Sequence, residues 1–406
     1  MPSPAAPAAH PAADVLRVVT ETVPDPGPLL PYAEPGTPLV ALRRGDGIVG
    51  VGETLRLEYR GPDRIAEAAA QWRSVSDLAH VDDPVRRPGS GLVAFGTFAF
   101  ADDSGATSTL IVPELIIGRH EGVSWVTRLS VEQGGLEPVS TPLPRPIGER
   151  PRATLAASSL SRDAFMGVVS EALTRIRGGE LEKVVIARDA TARIPADSDR
   201  RALVDELAQA YPDCLTFVHA REASARVLAG STARGANATD DAAAAATLAT
   251  STKDLDEHAF AVQSVLQSLR PHARAVTASE LPFTLKLPNL WHLATDVAIE
   301  LGEQSSALDL VAALHPTAAV AGSPTADALA LIAALEPFDR GRYAAPVGWI
   351  DQDGDGEWVI ALRCATVDAD GLLTAHAGAG IVADSDPEAE LAETRMKFRP
   401  IADALR

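Results

Sequence analysis

The chain has 406 residues, with 36 Lys and Arg against 55 Asp and Glu, a formal net charge of −19. That charge excludes nucleic acid as the main partner, because binding a phosphate backbone needs a basic surface. With 46% hydrophobic and 22% charged residues the composition is globular, and the length suffices for a large core. The two cysteines, Cys214 and Cys364, cannot form a disulfide framework and suit a reducing compartment.

No run of about 18 apolar residues free of charge and proline occurs, so no membrane partner is expected. Residues 1–14, MPSPAAPAAHPAAD, lack a basic segment followed by an apolar one. They read as a disordered tail, not a signal peptide, and the location expected is cytoplasmic. From Leu16 to about Arg150, short apolar runs such as PLVALRR, GIVGVGE, SGLVAFGTFAF and VSWVTRLSV alternate with Gly and Pro, the pattern of antiparallel strands. One helix is predicted at Asp63–Trp72. Glu137–Pro151 carries five prolines and reads as a linker.

The second half alternates helices and strands. A helix is expected over Ser161–Arg177, capped by Ser161 or Asp163. LEKVVIARDATARI follows as a strand, Arg201–Tyr211 as a helix and CLTFVHA as a strand. DDAAAAATLA and KDLDEHAFAVQSVLQSL are helical, the latter with Leu255, Ala259, Val262, Leu266 and Leu269 on one face. LWHLATDVAIEL reads as a strand, Ala326–Leu335 as a helix, VGWIDQDGDGEWVIALRCATV as a hairpin and Asp386–Leu405 as a closing helix. The fold class is α+β with large, mostly antiparallel sheets flanked by helices, forming one domain over residues 15–406. Monomer is the expected state.

Two motifs mislead. Asp351, Asp353, Asp355 and Glu357 imitate a calcium loop, but loop position 12 is Leu362 and the flanks are strands. Gly378-Ala379-Gly380 imitates a dinucleotide fingerprint, but Pro387 delays the helix such a motif must open.

Four segments ask for more than packing. Lys183 stands in an apolar strand, where a lysine is ordinarily an edge charge. Lys253–His258 is a dense charged helix start. Glu390, Glu393 and Lys397 share one helix face, an arrangement that a solvated Glu393–Lys397 pair would also explain. Gly378–Gly380 reads as a turn after a strand, whose N–H groups could approach an anion. Together they suit a small polyanion: carboxylates for a hard cation such as Mg²⁺, with Arg363, Lys397 and the glycines for substrate carboxylates.

The stretches KVVIAR, LAGSTARG, STKDLDEH, LWHLAT, LHPTAAVAGSP, EPFDRGRYAAPVGW, GDGEWVIALRCA and GAGIVADSDPEAELAETRMK resemble the chorismate-utilising enzymes, which include the isochorismate, salicylate, anthranilate and aminodeoxychorismate synthases. The resemblance implies a body built from two sheets with surrounding helices, chorismate as substrate and Mg²⁺ as cofactor. It implies Glu257 and Glu393 as metal ligands, with Glu390 beside them. Gly230, Ser231, Arg363, Gly378, Ala379, Gly380 and Lys397 would surround the substrate, with His315 near its ring. Lys183 matches the lysine base of isochorismate and salicylate synthases, and Ala229 stands where aminodeoxychorismate synthases carry a nucleophilic lysine, so water is the implied nucleophile. The activity implied is hydration of chorismate to isochorismate; salicylate formation and a degenerate chorismate-binding protein are the alternatives.

Three departures matter. HPTP is His315-Pro316-Thr317-Ala318 here, and YAGPVGW is Tyr343-Ala344-Ala345-Pro346-Val347-Gly348-Trp349. Between Ala220 and Arg221 the chain lacks the family's G-A-S-P-E-type strand, whose glutamate is the general acid. Glu222 falls in a variable turn and does not inherit that role.

Overall fold

The computed structural model describes residues 15–131, 142–211, 217–219, 222–279, 281–286, 290–302 and 305–406. The side chains of 217–219, 222–231, 233, 253, 257 and 290 lie outside that description. Among the described residues, backbone pairing divides the strands into three sheets, where the resemblance implied two.

The first sheet comes from the amino-terminal half and runs Leu39–Arg43, Asp46–Val51, Leu115–His120, Val123–Val131, Leu16–Val23, His80–Asp82. The second joins both halves. Ala273–Ala278, Leu290–Leu301, Glu222–Ala233, Phe217–His219, Gly356–Ile360 and Pro346–Asp351 continue into Val93–Thr97, Ser108–Val112 and Leu55–Tyr59. Trp72, Phe98, Trp125, Trp349 and Trp358 form part of the core these strands share with the helices Arg64–Leu78 and Ala307–Leu314. Burying such aromatics removes large apolar areas from water.

The third sheet centres on Lys183–Arg193 paired antiparallel with Leu372–Ile381, and Ala365–Val367 extends it. The expected single hairpin after Pro346 is therefore cut. Its second strand ends at Ile360, Arg363 turns the backbone with φ 52°, and the chain resumes at Ala365 in a different sheet. A non-glycine residue in the left-handed region breaks a ladder because its carbonyl and N–H no longer face the neighbouring strand.

Most helices fall where the sequence places them. Ser161 caps Arg162–Arg177 by accepting from Ala164 N–H, and Asp386 caps Pro387–Ala404 by accepting from Ala389 N–H. The helix Ala307–Leu314 was not anticipated, although its capping box, Ser306 with Asp309, is legible in the sequence. In Thr252–Leu269 the buried face is Ala261, Val262, Val265 and Leu269 with His258, while Ala259 is exposed. The stripe is rotated from the predicted one because His258 is buried through a 2.7 Å bond to Thr295 Oγ1. The described part of the proline-rich linker is tied down by the buried Arg201, which donates to the carbonyls of Arg145 (3.3 Å) and Pro146 (3.0 Å).

Candidate active site

Side-chain alternation along the third sheet separates a core face from a site face. Val184, Ile186, Ala379 and Ile381 are buried in one cluster with Phe165, Val169 and Leu391. Lys183, Gly378 and Gly380 share the opposite face, since Val185 pairs with Gly380 and Ala187 with Gly378. The fully buried Ala379 thus points away from the site face, and only its backbone can serve the site.

The glycines make room. A Cβ on Gly380 would lie 3.0 Å from Lys183 Cε and 3.5 Å from its Nζ. A Cβ on Gly378 would lie 3.1 Å from the Tyr343 hydroxyl. The segment is a strand, not the turn expected from the sequence. Gly378–Gly380 lies within the strand, but Gly378 and Gly380 stand opposite Ala187 and Val185, whose N–H groups turn to Glu336 and Ala321, so the polar groups of these two glycines face the other edge, where Gly378 carbonyl meets Lys397. What glycine supplies here is the absence of a side chain, which lets the Lys183 amine lie across the strand.

The closing helix Pro387–Ala404 packs on the core face through Leu391, Phe398 and Ile401, and its Lys397 reaches the backbone of Gly378. Lys397 Nζ donates to Gly378 carbonyl at 2.8 Å and pairs with Glu393 Oε1 at 2.5 Å. Burial pulls the Lys397 ammonium below its ordinary pKa, and the Glu393 carboxylate opposes that shift. Glu390 is buried one turn earlier and adds to the negative potential at Lys397. Arg363 lies within electrostatic range of both Lys397 and Tyr343. The i, i+4 ion pair that the sequence allows is present, and it sits against the glycine strand rather than in open solvent.

The remaining candidates are more dispersed. His315 donates to or accepts nothing from the closing helix among the described residues; its Nε2 meets Phe100 carbonyl at 3.0 Å, and its ring packs edge-on against Phe100. Since a carbonyl only accepts, Nε2 carries the proton. Burial pulls its pKa down to about 4. Gly230 and Ser231 lie in Glu222–Ala233, at the register shift between Ala229 and Ser231, with Ser231 opposite His292. The Glu257 side chain lies outside the described residues, as do the sites of the expected break, residues 220 and 221. The strands flanking that break pair directly, His219 opposite Glu222.

The family model for chorismate binding enzymes matches residues 41–227 and 218–406. The putative isochorismate synthase MenF of Mycobacterium tuberculosis is 34% identical over 349 residues, 79% of this chain and 88% of that protein. The chain belongs to the chorismate-binding enzyme family. Isochorismate synthase DhbC of Bacillus subtilis is 38% identical over 264 residues, 58% of this chain and 66% of that protein. Among solved structures, the putative 2,3-dihydroxybenzoate-specific isochorismate synthase DhbC of Bacillus anthracis superposes with a TM-score of 0.71 at 28% identity, covering 92% of this chain and 94% of that one. MenF of Escherichia coli superposes at 0.79 and 21% identity, over 98% and 96%, and so shares the fold.

Within this chorismate-binding framework Tyr343 and His376 are site-face groups that sequence reasoning passed over. Tyr343 is buried, its hydroxyl reaches Gly378, and burial pushes its pKa up to about 12. His376, on the same strand face as Gly378, stacks on Tyr343 with centroids 5.3 Å apart, and burial pulls its pKa down to about 4. Period-two counting back from Gly378 would have found His376.

Proposed function

We propose that this chain converts chorismate to isochorismate. The observation that carries the reading is the Lys183 amine lying across Gly380 on a strand whose neighbour, Gly378, is held by the Glu393–Lys397 pair. Relatives named isochorismate synthase support it. Lys183 would take a proton from a water as its oxygen attacks C2, and the C4 hydroxyl would leave with a proton, so one water enters and one departs. Lys397 and Arg363 would hold the substrate carboxylates, with Gly378, Ala379, Gly380, Gly230 and Ser231 shaping the cleft and His315 fixing the segment beside the ring.

Glu390 and Glu393, one helical turn apart, are hard oxygen donors of the kind Mg²⁺ accepts, and Glu257 would complete the set. When bound, the ion would neutralise and orient a substrate carboxylate. A second reading, chorismate binding with crippled conversion, is favoured by the direct pairing of His219 with Glu222, which leaves no acid-bearing strand between them.

Lys183→Ala tests the first reading. Chromatography should show isochorismate formation reduced at least about 10²-fold while chorismate binding persists. A variant retaining more than about a tenth of the parent rate removes Lys183 from the base role. Salicylate and pyruvate among the parent's products would shift the assignment to salicylate synthase.

A further inference from the structure

The strand Lys183–Arg193 is fully paired along one edge only. On the other, Ser323 and Gly322 pair with Lys183 and Val184, and Ala157 and Ala156 pair with Ala190 and Thr191. Among the described residues no strand lies beside Val185 and Ala187, yet their polar groups are met. Val185 N–H donates to Ala321 carbonyl at 2.8 Å. Val185 carbonyl accepts from Arg340 Nη2 at 2.7 Å, and Ala187 N–H donates to Glu336 Oε1 at 2.7 Å.

Glu336 and Arg340 also bind each other twice, at 2.6 and 2.8 Å, with both side chains 2% exposed. Stability alone does not require such a pair, since apolar groups of similar volume often serve as well or better. What apolar groups cannot do is offer a donor and an acceptor to an open strand edge. The same guanidinium donates to Val320 carbonyl at 3.0 Å and lies 4.5 Å from the Phe100 centroid and 5.9 Å from that of Tyr343. Phe100 in turn anchors His315 through its carbonyl.

We propose that Glu336 and Arg340 are a positioning pair, a side-chain substitute for a strand. They fix Val185 and Ala187 against Gly380 and Gly378, and so fix Lys183, while tying that rung to Tyr343 and His315. The proposal deepens the reading of Lys183 as base and rests on it.

Arg340→Lys is the principal test. A lysine keeps the charge but cannot bridge Glu336 and Val185 with a planar fork. Acetylation of Lys183, followed by mass spectrometry at 25 °C against the exposed Lys286, reads the position of the amine without relying on turnover. We expect Lys183 labelling to rise at least about threefold relative to Lys286, as a locally loosened strand edge exposes it. The kcat should fall at least about tenfold with KM for chorismate within about threefold, since a misplaced catalytic group costs rate rather than binding. A merely structural role would lower the melting temperature and leave labelling and the kcat of the folded enzyme unchanged, and that result overturns the proposal. If Arg340→Lys does not fold, Glu336→Leu/Arg340→Met, which removes the buried charges together, takes its place under the same two criteria. A Lys183→Ala variant that keeps its rate would reject the base assignment alone, because the labelling result does not depend on it.

Discussion

Two walls of the candidate site differ in how completely they are built. The wall of Lys183–Arg193, Leu372–Ile381 and the closing helix has ten consecutive residue pairs between its strands, from Val184–Ile381 to Arg193–Leu372. The second wall, built on the strand Glu222–Ala233 that carries Gly230 and Ser231, is thinner among the described residues. Among the described residues, Phe217–His219 pairs with three residues of Glu222–Ala233 and meets Gly356–Ile360 at one pair, Val218–Gly356. Yet Glu222–Ala233 is paired along its length with Leu290–Leu301. Anchoring groups and a proton donor are separable parts of such a site, and we propose that this chain keeps the first without the family's version of the second.

The largest effect should come from rebuilding the thin wall. Insertion of a G-A-S-P-E-type strand with its turn between Ala220 and Arg221 should raise kcat about 10²-fold or more, the usual worth of a positioned general acid. KM for chorismate should change little, since Lys397, which would hold a substrate carboxylate, lies on the other wall. An insertion that folds, binds chorismate and gives no gain in turnover would show that the acid comes from elsewhere.

How far the sequence revealed this asymmetry differs by region. The built wall was legible because its signals are local: apolar alternation around Lys183, a cap at Asp386, and the i, i+3, i+7 spacing of Glu390, Glu393 and Lys397. The glycines were found but misread as a turn. Nothing in G-A-G separates a turn from a strand cleared for a neighbouring side chain; that requires knowing that Lys183 lies alongside. Ala379 was counted with the substrate-facing residues, although strand alternation sends it to the core. The Glu336–Arg340 pair was invisible for a different reason. Its i, i+4 spacing looks like any surface pair, and only the open edge of a strand about 150 residues earlier in the chain gives it a task.

A smaller effect should separate metal holding from substrate holding within the built wall. Glu393→Gln should raise the apparent Mg²⁺ requirement by about tenfold or more, because a site with few carboxylates then depends on water and substrate oxygen. Titration of activity with Mg²⁺ after chelation, run in parallel on Glu390→Gln, checks it. Undiminished turnover in excess chelator would exclude the metal role for both residues. The same Glu393 variant also releases Lys397 from its ion pair, so the lysine should titrate lower than in the parent, burial then acting unopposed by that carboxylate.

The smallest effect concerns acid, and it should fall on the built wall. His376 stacks beneath Tyr343, and His315 braces Phe100; burial lowers both pKa values from 6.5 to about 4. In the unfolded chain each takes up a proton near its ordinary value of about 6.5. As pH falls from 7 the unfolded state thus binds protons that the folded state refuses, and stability declines progressively until both states are protonated below about pH 4. Between pH 7 and 6 the loss is about 0.7 kcal/mol per histidine, or roughly 1.4 kcal/mol for the two. Calorimetry should show a melting temperature that drops over this unit of pH, and His376→Phe, which preserves the stack, should remove about half of the slope. Hydrogen exchange locates the effect: amides of Leu372–Ile381 should lose protection on acidification before those of Leu290–Leu301, where the neighbouring buried histidine, His258, is held by Thr295. Equal loss in both strands would mean that the acid response is global, and that the complete wall is no more dependent on its neutral histidines than the thin one.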